Sequence, residues 1–409
     1  MLARLLVTCM LLVALLTGCT SYLPPGSVPI SPLSEQNVKV VTIPLPAISA
    51  NPNEGITYGA LAAFLLHNDK DEVCTLLAPQ VNYNDLYGTT GTVYGAYYPS
   101  RDRSYEWNIS QSAKINFDYE LRLRDQTLMD KKLELNAFLY TFADGSARFY
   151  GFQDSKKQME TNYADQETGF TVTAGYPLPF DHTQVVFGER LRIVDIDPGA
   201  VTSVPYILPR FANVPGVHGF VAHAQSLGVV YNTLDSNTMP TTGIRLKVSI
   251  DNNAQALGGS ADYRHYDTEV KGYLPLMDAR FISVARFEYS QTLGEDVPFL
   301  ERSSLGGENT LRGYGRNRFI DSSFLLLNLE ERIRLFRWEL FGVTADWEMA
   351  PFIDLGSVMT SLVEANSRAF QFNPGLGLRA VIRPNIVGRI DVGVGKEGPA
   401  VFVGLGYPF

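Results

Sequence analysis

The sequence is poor in the residues that most enzymes and disulfide scaffolds depend on. Of its 409 residues only three are cysteine (Cys9, Cys19 and Cys74) and five are histidine. Cys9 and Cys19 fall in an N-terminal export segment, so the mature chain is left with Cys74 and no partner for an intrachain disulfide. Charged residues make up 19%, low for a soluble protein, and the net charge of −9 leaves no basic surface for a nucleic acid. Beyond the N-terminus no apolar run approaches the length of a membrane helix. The histidines do not cluster with cysteine or carboxylate at metal-ligand spacing, and no glycine-rich phosphate loop is present. His223 and Ser226 are three apart on a strand and so face opposite sides. His265 and Asp267 share a face, as polar residues in a wet interior do. No catalytic residue, metal ligand or cofactor is therefore assigned.

The N-terminus reads as an address. Arg4 precedes the apolar stretch Leu5–Leu16, which is too short to span a bilayer, and Leu16-Thr17-Gly18-Cys19 has the form of a lipobox. Residues 1–19 are expected to be a lipoprotein-type signal peptide, with Cys19 acylated. Residues 20–50, with Pro24, Pro25, Pro29 and Pro32, read as a periplasmic Pro/Ser-rich tether holding at most one short strand.

What is abundant is alternation. In Gly243–Asp251, Ile244, Leu246, Val248 and Ile250 share one face, while Arg245, Lys247, Ser249 and Asp251 share the other. Residues 114–124 repeat the pattern. Runs of this kind reach the 9–11 residues that a tilted strand needs to cross a bilayer. Sixteen such runs can be marked, with 104–124 taken as one. In lipid they must close on themselves, because an open sheet edge would leave backbone groups unpaired. The expected fold is all-β: a 16-stranded antiparallel transmembrane β-barrel over residues 51–409, in the bacterial outer membrane. The last run places Val401, Val403, Leu405, Tyr407 and Phe409 on one face, with Tyr407 and Phe409 as a C-terminal barrel signal.

One connection is too long to be a mere turn. It contains Leu305–Tyr314, with Arg312, Gly313 and Tyr314 at its end. Parity supplies partners: Leu325, Leu327 and Leu329 set a lipid face that Glu331 interrupts, so Asn328, Glu330, Arg332 and Arg334 point inward. By the same logic Asp354 (between Ile353 and Leu355) and Arg379 (beside Leu378) face the lumen. A guanidinium fork suits such carboxylates.

Leu311–Tyr314, Phe352–Gly356, Glu330–Arg332, the run Ala147–Phe152 and the terminal Phe409 together resemble the BamA/TamA-type barrel superfamily, also called the bacterial surface antigen family. The resemblance implies a barrel whose long outer loop folds into the lumen, with Arg312 pairing Asp354 and Glu330. It also implies a weak seam between first and last strands. The residues between Cys19 and the barrel are too few for the periplasmic POTRA domains of assembly factors, so the resemblance is to a member lacking them. A second family run appears in thinned form as Asn232–Asp235 with Pro240 and Gly243. The implied function is insertion or translocation of proteins, or of lipids, at the outer membrane, with outer-membrane lipids and a separate periplasmic partner or substrate protein as its company. The alternative is a gated or passive pore.

Overall fold

The computed structural model describes residues 39–409 apart from 69–72, 101, 154–156, 341–342 and 383–385. The expected signal peptide, Cys19 and the first part of the tether lie outside the described residues. Strands β1 to β7 are Lys39–Asn51, Gly55–His67, Val73–Asn84, Gly88–Ser100, Arg103–Ser112, Phe117–Thr127 and Leu133–Phe149. Strands β8 to β13 are Thr161–Pro177, Thr183–Asp197, Phe220–Asn232, Gly243–Asn253, Tyr263–Leu276 and Phe281–Gly294. Two short strands, β14 (Ser303–Leu305) and β15 (Phe319–Asp321), pair with each other inside the long connection. Strands β16 to β20 are Ser323–Leu340, Val343–Met359, Gln371–Ile382, Ile386–Gly395 and Gly398–Leu405.

All but β14 and β15 form one antiparallel wall of 18 strands, in which each pairs with its chain neighbour and β1 meets β20. The closed all-β barrel is as expected, but the count is 18 rather than 16. The run at 104–124 is a hairpin: the Ser112 amide donates to the Asn116 carbonyl, and Ile115 takes a φ of 24°. Its turn carries neither glycine nor proline, so the alternation reads straight through it. The other missing strand is β1, which begins at Lys39 inside the expected tether. Its Pro44 and Pro46 argue against a strand in sequence terms but are tolerated at an edge.

The alternation does place side chains as predicted. On β11, Ile244 and Val248 are exposed on the outer surface, while Arg245 reaches Glu269 at 3.1 Å and Lys247 reaches Asp267 at 3.6 Å on the inner one. An apolar exterior with a polar, ion-paired interior is the pattern of a membrane barrel. Glu331 interrupts the apolar exterior of β16, where the Ser283 hydroxyl donates to it at 2.6 Å.

With an even count both ends of the wall emerge at one mouth. That mouth carries mostly short turns, whereas the opposite mouth carries the connections at 150–160, 198–219 and 295–322. Long loops mark the extracellular side. There, Phe149, Tyr163, Ile207, Phe220, Phe299 and Ile320 form an apolar cluster that draws the three loops into a cap. The Ala147–Phe152 motif sits at its centre. Phe149 packs edge-on against Phe152 and Phe211, and the neighbouring Arg148 donates to the Asn53 carbonyl and to Glu160.

Candidate functional site

The 295–322 connection does not stay outside. Its tip descends into the lumen and puts Arg312 against the wall formed by β16 to β19. The Arg312 guanidinium makes a two-pronged bond to Asp354, Nε to Oδ2 at 3.0 Å and Nη2 to Oδ1 at 2.8 Å, while Nη1 donates to Glu330 Oε2 at 2.8 Å. The Arg312 backbone amide also donates to Asp354 at 3.0 Å. The cation lies 3.4 Å above the Phe352 ring. Arg312 and Asp354 are fully buried. Burial disfavours the cation, but the charge and hydrogen bonds of Asp354, with those of Glu330, outweigh it, so the arginine holds its proton more tightly than usual.

Around this pair the charges form a closed lattice. Glu330 also accepts from Arg332 at 3.2 Å and Arg379 at 3.4 Å. Arg379 donates to Asp391 at 2.7 Å, and Asp391 lies 3.5 Å from Arg389. Arg389 in turn reaches back to the loop, donating to Glu308 at 3.1 Å and to Asn309 at 3.0 Å. Asn328 donates from one amide to Asp354 at 2.7 Å and to the Thr310 carbonyl at 2.8 Å, tying wall to loop. Thus Arg312, Glu330, Asp354 and Arg379 meet as parity suggested, although Arg379 holds the lattice from behind. Asp391 was missed, yet it alternates with apolar Ile390 and Val392 just as Asp354 does with its neighbours.

Gly313 serves through closeness rather than backbone freedom. A Cβ there would lie 2.1 Å from Asn373 Nδ2 and 2.5 Å from the Gly395 nitrogen, and one on Gly393 would lie 2.2 Å from the Arg312 carbonyl. The loop backbone rests directly on β19. Next to it, the Tyr314 hydroxyl donates to Gln371 at 2.8 Å and its ring meets Phe319 edge-on at 4.9 Å. Leu305, Leu311, Phe319, Phe324 and Leu326 enclose that ring.

The base of the loop is fastened elsewhere. Glu301 accepts from Arg190 through both oxygens, at 3.0 and 2.6 Å, from Arg192, and from the Tyr263 hydroxyl at 2.6 Å. Arg192 also bridges to Glu167 at 2.6 Å. Burial would raise the Glu301 pKa, but Arg192 and Arg190 bring it down to about 2. Nothing in the local sequence marked this residue, because its partners lie on β9 and β12, far away in the chain.

The lumen is entered from the other mouth as well. β20 ends at Leu405 instead of running to the C-terminus, and Gly406, with a φ of +79°, turns the last residues inward. Tyr407 and Phe409 therefore leave the face that the alternation had them share with Val401, Val403 and Leu405. The Tyr407 hydroxyl donates to Glu348 at 2.9 Å, and its ring lies 3.5 Å from the Arg332 guanidinium. Phe409 packs near Tyr273 and Leu234, with Arg312 5.6 Å from its ring. The inturned 233–242 segment joins this tail, as the Pro240 carbonyl accepts from Arg332 at 3.3 Å. Below them a cavity of about 530 Å³ is lined by Tyr94, Arg124, Arg245, Lys271 and Tyr407.

The wall has one weak line. β1 and β20 are joined by a single residue pair, Ala50 with Val401, whereas among the described residues no other ladder of the wall has fewer than eight.

Residues 103–395 match the Omp85 superfamily domain. Among solved structures, BamA from Haemophilus ducreyi lacking POTRA domains 1–3 aligns with 91% of this chain and 74% of its own, at 13% identity and a TM-score of 0.52. CdiB from Escherichia coli aligns over 95% of this chain and 67% of its own, at 10% identity and a TM-score of 0.48. CdiB from Acinetobacter baumannii aligns over 91% and 60%, at 10% identity and a TM-score of 0.44. With well over half of its residues inside the domain match, and a closed barrel wall around an inturned loop, the chain belongs to the Omp85 superfamily of outer-membrane barrels.

Proposed function

We propose that this barrel acts in the insertion or translocation of proteins at the outer membrane, through a seam that opens while the latched loop preserves the rest of the wall. The observation that carries this reading is the single pair joining β1 to β20. A backbone hydrogen bond contributes only about 0.5–1.5 kcal/mol net. Parting one pair is therefore within reach of thermal fluctuation, while parting any neighbouring ladder is not. An opened seam presents strand edges to the bilayer, where unpaired backbone groups need a partner. An incoming strand supplies one. The Glu301 and Arg312 ion pairs lie on β9, β12, β16 and β17, so the seam can part without undoing them. The loop meets the ends of the two seam strands at the outer mouth, where Asn53 donates to the Arg316 carbonyl at 3.3 Å and Arg318 pairs with Glu397 at 2.7 Å. Release of lipid through the same seam follows the same geometry. A passive pore is less well supported, since the loop tip and the C-terminal tail fill the lumen from both mouths.

The test is reconstitution in vesicles with a small outer-membrane barrel as substrate. Wild-type protein should speed its folding. An Ala50→Cys/Val401→Cys variant should lose that effect when oxidised and regain it on reduction. If wild-type protein gives no acceleration, the reading fails.

A further inference from the structure

The weakness of the seam has a cause in the sequence. In an antiparallel strand, alternate residues direct their backbone N–H and C=O to opposite neighbours. The β1–β2 ladder runs without a register shift from Asn51↔Gly55 to Lys39↔His67, although β1 contains Pro44 and Pro46. A proline cannot donate, so both prolines turn their nitrogens away from β2 and toward the seam. Thr42, Ile48 and Ala50 share that parity, and Ala50 is the residue that pairs across to Val401. The β19–β20 ladder is likewise continuous past Pro399, which puts Pro399, Val401, Val403 and Leu405 on the seam side of β20.

Extending the Ala50↔Val401 register sets Ile48 against Val403, Pro46 against Leu405 and Pro44 against Tyr407. In the other direction it sets Pro52 against Pro399. Only Ala50/Val401 and Ile48/Val403 can bond in full, and prolines stop the zipper on either side. Where it would continue below, Gly406 has already turned the tail into the lumen.

We propose that an incoming extended polypeptide adds to the β20 edge of this barrel, and that Pro44 and Pro46 exclude it from β1. This rests on the function proposed above and names the edge on which it occurs. A strand laid on β1 would find no donor at two successive bonding positions and would leave its own carbonyls unsatisfied inside the bilayer. On β20, Val401, Val403 and Leu405 each offer both a donor and an acceptor. Only an extended chain, with its alternating donors and acceptors, matches such an edge.

The experiment places the photoreactive residue benzoylphenylalanine at Thr42 or at Val403 of the full-length protein in vesicles. The probe is a truncated eight-stranded outer-membrane barrel that stalls during insertion. Adducts should form several-fold more from position 403 than from 42. In a Pro44→Val/Pro46→Val variant, position 42 should rise to match. Equal or greater yield from position 42 in the parent overturns the proposal, as does an unchanged yield in the double variant. Acceleration of substrate folding without adducts at either position also overturns it. If there is neither acceleration nor adduct, the function proposed above is what fails, and hydrogen exchange without substrate decides the edge. The Thr42 and Ile48 amides should exchange fast in the parent and roughly tenfold slower in the double variant. Slow exchange in the parent, or no change between the two, shows that the prolines do not set the seam.

Discussion

Glu301 and Arg312 lie on one loop and are anchored with opposite polarity to different parts of the barrel wall. At the base the loop supplies the acid and β9 supplies Arg190 and Arg192. At the tip the loop supplies the base, and β16 and β17 supply Glu330 and Asp354. The loop therefore bridges the lumen, and each end completes an ion-pair network on the wall, where Glu330 is shared with Arg332 and Arg379 and Arg192 with Glu167. Such an arrangement adds little over an apolar plug, but removing one member leaves the other charge stranded at a cost of about 3–5 kcal/mol.

Removing the tip anchor should loosen the barrel. Arg312→Ala and Asp354→Ala are each expected to reduce the fraction that migrates as folded, heat-modifiable barrel on gels, with a loss on the order of 3–5 kcal/mol. Arg312→Lys keeps the charge but not the fork that serves Asp354 and Glu330 together, so it should fall between. Unchanged migration and protease resistance in all three would show that the anchor is not structural.

The base anchor carries a pH signature. The Glu301 carboxyl sits at about 2, below its ordinary 4.5, held there by Arg192 and Arg190 against the opposing effect of burial. Its contribution is complete above about pH 4.5, shrinks as pH falls, and is gone below about 2. Glu301→Gln should weaken the outer cap by a few kcal/mol at neutral pH and flatten that part of the acid profile. Thermal melting in detergent from pH 7 to pH 2, parent against variant, reads this as two curves that converge in acid. Parallel curves would assign the acid sensitivity to other groups.

Gly313→Ala tests how closely the loop lies on the wall. The new methyl would meet the Gly395 backbone nitrogen at 2.5 Å, and backbone there has nowhere to go. The loop must lift, at about 1–3 kcal/mol for overpacking of this kind. Trypsin should then cleave at Arg312 or Arg318, both buried in the parent. Resistance equal to the parent would mean that β19 yields instead.

For the C-terminal tail, stability and assembly can be separated. Tyr407→Ala removes the donor to Glu348 and the ring beside Arg332, and should lower the midpoint of protein refolded in detergent by about 1–3 kcal/mol equivalent. Phe409→Ala should act in the same direction and more weakly. If both refolded variants melt like the parent while reaching the outer membrane poorly in cells, the aromatic end is an assembly signal alone.

How much of this the sequence disclosed depends on whether a contact is local or not. The tip anchor was legible because each wall carboxylate is flanked by lipid-facing residues, and strand parity then fixes its direction. Glu301 was not, since a loop side chain has no parity and its partners come from β9 and β12. The strand count failed in two places. The hairpin turn at 113–116 has no glycine or proline to announce it, and β1 carries prolines that an interior strand would reject. One missed strand and one missed turn cancelled in direction, which is why the 295–322 loop was still assigned to the outer mouth. The tail was misread because the alternation from Val401 continues in sequence through Tyr407 and Phe409, although the strand itself stops where Gly406 turns.

Single-channel recording in planar bilayers tests most directly whether loop and tail close the lumen. Wild-type protein should show no large, steady conductance, and a Glu301→Gln/Arg312→Ala variant, with both loop anchors removed, should open frequently. A large stable conductance in the wild type, unchanged in that variant, would contradict the account.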